Sequence, residues 1–355
     1  MDDLFTKSRS ISLPRRILAG HDVLPQLGDV CKEFELRSPA LMVTGTTTAA
    51  LAGRPVSDVM VGAGYEIQTI QVGEATQESV KQVLELAKET KARFLLGVGG
   101  GNKIDIAKMS ATELRIPYIS IPTSASHDGI ASPRASIHGF GNSVSVEAKV
   151  PLAIIVDTKI IVKAPFRLLA SGCADVISNK SALLDWKLAQ RLRGEVFSTS
   201  AATISDYAAE SIITNASTIK PNLEESIWTA IKPIIISGIA MAIAGSSRPT
   251  SGAEHLFSHM LDSLAPKKAL HGEQCGVGSI MMMYLHGGDW QRIRDSLSTI
   301  GAPVTGEQLG IDRELIIQAL CRAHEVRQDR YTVLGDKGLT CEAAERLAKI
   351  TGVIS

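Results

Sequence analysis

The chain has 355 residues, 45% hydrophobic and 21% charged, a composition typical of a globular protein with enough apolar surface for two domains. Lysine plus arginine equals aspartate plus glutamate, 37 of each, which argues against nucleic-acid binding and against adhesion to a membrane surface. Five scattered cysteines without a CxxC pair, and an N-terminal stretch without an apolar signal-peptide core, predict a cytoplasmic protein.

The first half alternates short apolar runs with helical patterns, which is typical of a parallel sheet covered by helices. A loop and a helix are predicted over 46–63 and a further helix over 77–90. Strands are predicted at 41–45, 65–72, 92–100, 116–122, 134–139, 143–149 and 151–161, with a turn at 139–142 between two of them. This order predicts a doubly wound, Rossmann-like α/β domain over residues 1–163.

A glycine-rich turn follows the predicted strand at 92–100. The glycines Gly99, Gly100 and Gly101 let the backbone approach a pyrophosphate, and the helix that begins near Lys103 directs free N–H groups toward that anion. The turn is neither a GxGxxG fingerprint nor a P-loop, so a tight structural connection is the alternative. Lys103 and Asp105 are predicted either as cofactor contacts or as solvated residues of the first helical turn.

The end of the first predicted strand bears on the choice between NAD and NADP. An acidic residue at this position would bind the ribose hydroxyl of NAD and repel a 2′-phosphate. The chain has Thr44, Gly45, Thr46 and Thr47 there, with no acid. We therefore expect NADPH to be accepted alongside NADH.

The loop after the strand at 116–122 is rich in hydroxyl groups, and ligands of doubly wound folds bind in such loops. Asp128 can hold a substrate hydroxyl. Four residues can bind cofactor phosphate or sugar: Thr123, Ser124, Ser126 and Ser132. An ordinary serine-rich loop is the alternative.

After residue 163 helical patterns dominate and predict an all-α domain over 164–355. The longest apolar run, 233–247, is too short to span a bilayer and is predicted to be part of a buried helix. Other helices are predicted at 200–216, 222–244, 251–264 and 272–285.

Three of the eight histidines lie close together in the helical half. His255 and His259 are one helical turn apart, and His271 follows after a turn that contains proline. Imidazole is both a ligand of divalent metals and a proton carrier, so the cluster predicts a metal or catalytic site, with structural packing as the alternative. Asp175 lies in a stretch of apolar and small residues and needs a partner, which can be a metal, a helix N-terminus or Lys180.

Four segments occur in a characteristic order: GGGNKIDIAK, PTSASHDGIASPRASI, GCADVISN and GAEHLFSH…LHGEQCG. Together they resemble the superfamily of iron-dependent alcohol dehydrogenases, glycerol dehydrogenases and dehydroquinate synthases. The resemblance covers almost the whole chain and implies a dehydroquinate synthase-like fold. Members of the superfamily pack as oligomers, so a homo-oligomer is expected.

The resemblance also implies a single metal ion, held by one acidic residue and two histidines. His259 matches a histidine of the active site that lies near the substrate, and Cys275 is an alternative ligand. Asn179 stands where some relatives have a further histidine, which favours a zinc site with three ligands over an iron site with four. The implied ligands are Asp175, His255 and His271.

The segment TSASHDGIASPRASI is similar to the branch of the superfamily that acts on glycerol 1-phosphate. It implies metal-assisted reduction of dihydroxyacetone phosphate to sn-glycerol 1-phosphate by NADPH or NADH, the step that supplies the backbone of archaeal ether phospholipids. Asp128 would orient a substrate hydroxyl, and His259 or water would supply the proton. The candidates for holding the phosphate or steering the substrate are His138, Arg134, Lys149, Ser132, Lys267 and Lys268.

The residue patterns are also compatible with three other functions. A glycerol dehydrogenase would act on unphosphorylated polyols, and a dehydroquinate synthase would be a lyase that uses NAD only transiently. A nucleotide-binding protein without catalytic activity is the third possibility, and the intact ligand set argues against it.

Overall fold

In the computed structural model, residues 10–139, 142–266 and 269–355 are described. A six-stranded parallel sheet with the order β1-β8-β5-β4-β2-β3 forms the centre of the first half. The strands β6 and β7 form a separate antiparallel hairpin. The eight strands are β1 (Arg16–Gly20), β2 (Ala40–Thr44), β3 (Ile67–Gln71), β4 (Phe94–Gly99), β5 (Tyr118–Pro122), β6 (Arg134–Gly139), β7 (Asn142–Glu147) and β8 (Ala153–Asp157).

The inner strands form because they are short apolar runs that helices cover on both faces. Every residue of β2, β4, β5 and β8 is buried. The edge strand β1 was not predicted from the sequence. Its residues are only half-buried or exposed, so its apolar pattern is weak, and it is held by parallel pairing with the distant β8.

In the first half, most of the helices alternate with strands along the chain. The predicted loop and helix over 46–63 are instead a continuous helical run, with a wider π-turn at Ala49–Gly53. Short 3-10 turns lie at Leu24–Gln26 and Asp128–Ile130. The α-helices are α1 (Leu27–Glu33), α2 (Thr46–Thr48), α3 (Arg54–Gly62), α4 (Gln77–Glu89), α5 (Gly101–Leu114) and α6 (Thr158–Ile161).

Among the described residues of the second half, the regular secondary structure is helical. We propose a domain boundary near residue 163, since the sheet ends at Asp157 and the first long helix begins at Phe166. Short 3-10 turns lie at Ala216–Thr218 and Ala323–Glu325. The α-helices are α7 (Phe166–Ile177), α8 (Asn179–Arg193), α9 (Thr199–Thr214), α10 (Glu224–Ala244), α11 (Ala253–Leu264), α12 (His271–Leu285), α13 (Trp290–Ile300), α14 (Gly306–Leu309), α15 (Arg313–Arg322) and α16 (Cys341–Ile350).

Helix α10, with 21 residues from Glu224 to Ala244, confirms the helix predicted at 222–244 and begins nine residues before the apolar run at 233–247. By length and composition alone it could cross a membrane, but 61% of its most apolar window is buried within the fold. It also packs against the loop that carries Asp128. A Cβ atom on Gly238 would lie 2.7 Å from the carbonyl oxygen of Asp128, so glycine permits this close approach.

Candidate active site

A cleft of about 1340 Å³ lies between the carboxyl ends of the strands and the helices of the second half. Most of the predicted cofactor residues line it, namely Gly100, Gly101, Lys103, Asp105, Ser124, Ser126 and Ser132. Gly99 and Thr123 lie beneath this surface, where the Thr123 N–H donates to the Gly99 carbonyl at 3.0 Å. The predicted histidines line the same cleft.

The glycine-rich turn leaves the start of α5 without side chains. Gly100 precedes the helix and Gly101 is its first residue. A Cβ atom on Gly101 would lie 1.7 Å from Nε2 of His127, so no larger residue fits there without displacing that ring. The ring is fixed because its Nδ1 accepts a hydrogen bond from the Gly129 N–H at 2.9 Å. The turn can therefore present bare backbone N–H groups to an anion.

A buried ion pair connects α5 to the loops around the cleft. Nζ of the fully buried Lys108 donates to Oδ1 of Asp105 at 2.9 Å and to the carbonyl oxygens of Gly129 and Arg134 at 2.7 and 2.5 Å. The other Asp105 oxygen accepts from the Ser136 N–H at 3.0 Å. Asp105 is thus not a solvated first-turn residue. Lys108 was missed because its two carbonyl partners, Gly129 and Arg134, are distant in the sequence.

Asp175, His255 and His271 meet at the inner end of the cleft. Oδ1 of Asp175 lies 3.8 Å from Nε2 of each histidine. This buried oxygen has no hydrogen-bond partner among the described residues, whereas Oδ2 accepts from the Asp128 N–H at 3.0 Å. The alternative prediction, an ion pair between Asp175 and Lys180, is wrong, because Lys180 pairs with two acids of α9.

Hydrogen bonds hold both imidazoles in place. Oε1 of the buried Glu254 lies 3.0 Å from Nδ1 of His255, and Oγ of Ser258 lies 3.1 Å from Nδ1 of His271. The Ser258 hydroxyl donates to Gln274 at 2.6 Å, so its oxygen accepts from the imidazole. Each ring is therefore held through Nδ1 and directs Nε2 toward Asp175, the orientation that metal-binding histidines need. Neither Glu254 nor Ser258 was predicted from the sequence.

Cys275 completes a cluster of four groups whose ligand atoms lie within 4.8 Å of one another. Its Sγ is 3.6 Å from Nε2 of His271. Burial raises the pKa of the Cys275 thiol to about 11. Since the thiolate is the form that binds metals, the protonated thiol is a weaker ligand than the two imidazoles.

Asp128 and His259 lie beside this cluster. Oδ2 of Asp128 accepts from the Ser237 hydroxyl at 2.8 Å, and burial together with the Asp175 charge raises the pKa of Asp128 to about 7. The His259 ring stacks on His271 with the ring centres 5.7 Å apart. Burial, and then the charge of His271, lowers the pKa of His259 well below its usual value, so this imidazole is neutral.

Arg134 and Arg327 line the same cleft, as do Arg322 and Lys103. Arg134 is held by Ser145, whose hydroxyl accepts from Nε at 3.2 Å, and burial and the Arg327 charge lower the pKa of Arg134. Arg327 pairs with Asp329 at 2.8 Å.

The other candidates for the substrate phosphate lie in different places. Lys149 lines a separate cavity of about 560 Å³, together with Arg15 and Arg115. Ser132 lines the main cleft, and its hydroxyl donates to the Arg134 carbonyl at 3.2 Å. The His138 side chain, Lys267 and Lys268 lie outside the described residues.

In comparisons of sequence, the chain matches one protein family and individual enzymes. Residues 18–165 match the family of iron-containing alcohol dehydrogenases. Glycerol-1-phosphate dehydrogenase (NAD(P)+) of Methanosarcina mazei is 55% identical over 345 residues, which is 97% of both chains. The enzyme of the same name from Methanothermobacter thermautotrophicus is 56% identical over 346 residues, 98% of this chain and 99% of that one.

Solved structures with the same fold are more distant in sequence. Glycerol dehydrogenase from Schizosaccharomyces pombe has a TM-score of 0.79 at 19% identity, covering 98% of this chain and 91% of that one. Sulfoacetaldehyde reductase from Bifidobacterium kashiwanohense, solved in complex with NAD+, has a TM-score of 0.77 at 16% identity, covering 98% and 100%. These two structures support the predicted fold, a Rossmann-like α/β part followed by a helical part.

Proposed function

The chain belongs to the glycerol-1-phosphate dehydrogenases of the iron-containing alcohol dehydrogenase family, and we propose that it reversibly reduces dihydroxyacetone phosphate to sn-glycerol 1-phosphate with NADPH or NADH. The observation that carries this proposal is the set of Asp175, His255 and His271, assembled in the same cleft as the glycine-rich turn. The relatives in methanogens support a role in building ether phospholipids.

Asp175, His255 and His271 are proposed to hold one zinc ion. Zinc bonds of about 2.0–2.2 Å in tetrahedral geometry separate neighbouring ligand atoms by roughly 3.3–3.6 Å, slightly less than the 3.8 Å between Asp175 and each imidazole. The buried oxygen of Asp175 without a described hydrogen-bond partner also fits a cation. Three ligands leave one position for the substrate, as catalytic zinc sites require.

Reduction adds a hydride ion to C2 of the substrate and a proton to the C2 oxygen. When bound, the metal supplies Lewis acidity at that oxygen and the reduced nicotinamide supplies the hydride. Asp128, which is held by Ser237 and by the bond from its own N–H to Asp175, would accept a hydrogen bond from the free hydroxyl of the substrate. The neutral His259, or water held by it, would pass the proton.

The substrate phosphate is proposed to bind between Arg134 and Arg327. Two guanidinium groups that line one cleft repel each other, and a phosphate dianion removes this repulsion by charge-assisted hydrogen bonds. The positive charges of Arg134 and Arg327 would favour a phosphorylated substrate over glycerol. A preference for the phosphorylated substrate would distinguish the chain from a glycerol dehydrogenase, whose fold it shares.

The cofactor is proposed to bind along the carboxyl edge of the sheet. Its pyrophosphate would meet the backbone of Gly100 and Gly101, and hydroxyl groups of the loop after β5 would bind phosphate or sugar. These hydroxyl groups belong to Ser124, Ser126 and Ser132. Asp105 would support this surface through Lys108 and Ser136.

We further propose that the protein is cytoplasmic, inserts stably into no membrane, binds no nucleic acid and forms a homo-oligomer. The balanced charge and the five cysteines without disulfides support the first three statements. Exposed apolar side chains at and before the edge strand β1, on Ile11, Leu13 and Ile17, support the fourth. Sedimentation or light scattering would measure the assembly.

Dependence on both metal and substrate tests the proposed function. Purified protein should oxidise NADPH when dihydroxyacetone phosphate is added, and a chelator should abolish the activity. Asp175→Ala should reduce the metal content from about one ion per chain to nearly none, and should lower the rate at least a thousandfold because the ligand set is broken. The matched control is Asp206→Ala, which removes a surface acid that pairs with Lys180. Unchanged turnover in Asp175→Ala would contradict the metal assignment.

A further inference from the structure

The side chain of Lys103 crosses the carboxyl ends of three adjacent strands. Lys103 is the third residue of α5, directly after β4, and its Nζ donates to the carbonyl oxygen of Gly73, two residues beyond β3, at 2.6 Å. Between these points the side chain passes over Gly45, the residue after β2. Because β2 lies between β4 and β3 in the sheet, the lysine runs along the sheet edge.

Gly45 is what allows the lysine to lie there. A Cβ atom on Gly45 would come within 2.5 Å of Cε of Lys103 and 3.4 Å of its Nζ. A larger residue after β2 would therefore push the lysine away. Since φ of Gly45 is −112°, the backbone itself does not require glycine, and the space taken by Lys103 explains the small residue.

This position has a defined meaning in dinucleotide-binding folds. The strand next to the glycine-turn strand ends at the adenosine ribose, and an acidic residue there binds the 2′-hydroxyl of NAD and repels the 2′-phosphate of NADP. Here the glycine turn follows β4, from which the chain continues to its neighbour β5, whereas from the other neighbour, β2, it continues to β3 on the opposite side. The ends of β2 and β4 therefore form the switch point at which such folds bind nucleotides. The ammonium group of Lys103 lies there beside Gly45, the residue after β2. A positive charge therefore lies where NAD-binding folds carry a negative one.

We propose that Lys103 binds the 2′-phosphate of NADP(H), so that the site accepts both cofactors but binds NADP(H) more tightly than NAD(H), an inference that rests on the proposed dehydrogenase function. The ammonium group has three donors, of which the Gly73 carbonyl takes one, so two remain for phosphate oxygens. Thr46 and Thr47 are exposed on the same cleft edge and add hydroxyl donors.

One nearby charge opposes this role. Glu74 follows Gly73 and raises the pKa of Lys103, whereas burial, the larger effect, lowers it. Glu74 is exposed, so solvent screens its repulsion of a phosphate, while Lys103 is half-buried and held in place before any ligand arrives.

The test uses two nucleotides that lack the nicotinamide, 2′,5′-ADP and 5′-ADP, with dissociation constants measured by calorimetry on the full-length protein. The wild type should bind 2′,5′-ADP at least tenfold more tightly than 5′-ADP. Lys103→Gln should reduce this ratio about tenfold, because the amide keeps a donor but loses the charge. The control Lys81→Gln, which removes an exposed lysine of α4, should keep the wild-type ratio.

A second variant builds the opposite preference. Gly45→Asp combined with Lys103→Ala removes the clash and places an acid after β2, so 5′-ADP should become the tighter ligand; thermal denaturation checks that each variant is folded. An unchanged ratio in Lys103→Gln, or a wild type without preference, would overturn the inference and leave the proposed function intact. A wild type that binds neither nucleotide would overturn the dinucleotide site and the inference with it.

Discussion

Individual side chains of the cleft divide into three chemical groups. Asp175 and two imidazoles form the ligand set, Asp128 and His259 lie beside it, and Arg134 and Arg327 supply positive charge. In the sequence, the histidine spacing indicated a metal or catalytic site, the loop after the strand at 116–122 indicated Asp128, and the family resemblance supplied the ligand set and the role of His259. Arg327 was not among the predicted residues, because it belongs to the short segment after α15 and nothing in its sequence neighbourhood distinguishes it from a solvated arginine.

Replacing Arg327 tests the phosphate site. Arg327→Ala should raise the KM for dihydroxyacetone phosphate about 10- to 100-fold, because a hydrogen bond between charged groups contributes about 1.5–3 kcal/mol. The KM for NADPH and the weak turnover of unphosphorylated dihydroxyacetone should change little. Arg313→Ala, which removes a surface partner of Glu345, is the control. An equal effect on the phosphorylated and unphosphorylated substrates would place the phosphate elsewhere.

At the scale of elements, buried polar pairs fix the helices around the cleft. The Lys108 ammonium joins α5 to the loop of Asp128 and to the hairpin, and Asp185 of α8 accepts from the first N–H of α11 at 2.7 Å. Sequence patterns predicted most of these elements but not the contacts between them. Each contact joins residues far apart in the chain, and a lysine such as Lys108 in an amphipathic helix ordinarily lies at the surface.

Lys108→Met should destabilise the protein by about 3–5 kcal/mol, because the buried carboxylate of Asp105 loses its partner cation. Chemical denaturation followed by circular dichroism measures the change. The double variant Asp105→Asn with Lys108→Met removes both charges and should recover part of the loss. A loss below about 1 kcal/mol in the single variant would show that the pair contributes little.

Glu210 of α9 connects three helices through Arg292 of α13 and Lys180 of α8. The hydrogen bond from Arg292, with that from Lys180, lowers the pKa of Glu210 to about 2. The folded-state pKa lies below the unfolded value of about 4.3, so this stabilisation is complete above that value and is lost as the pH falls toward 2.

Glu210→Gln should therefore lower the free energy of unfolding at pH 7, by about 0.5–1 kcal/mol since the side chain is 38% exposed. The difference from the wild type should shrink as the pH falls from 5 to 3, as measured by urea denaturation. The control Glu85→Gln removes an exposed acid of α4 whose nearest lysine is 4.0 Å away, and should have a smaller effect at pH 7. A difference that is constant with pH, or larger in acid, would contradict this assignment.

For the whole molecule, the α/β half and the helical half each provide one side of a single cleft. Alternating apolar runs and helical patterns were enough to predict this division. The sheet order was not predictable in detail, because β1 pairs only with β8 at the far end of the domain and its half-exposed residues give little pattern. The metal ligands were assigned through the family resemblance, because no spacing rule connects Asp175 of α7 to His255 of α11 and His271 of α12.

The enantiomer of the product decides between a glycerol-1-phosphate dehydrogenase and an enzyme that makes the mirror-image product. The protein should be incubated with dihydroxyacetone phosphate and NADPH, and the glycerol phosphate that forms should be resolved by chiral analysis. We expect sn-glycerol 1-phosphate, because the chain belongs to the glycerol-1-phosphate dehydrogenases. Formation of sn-glycerol 3-phosphate would contradict the proposed function.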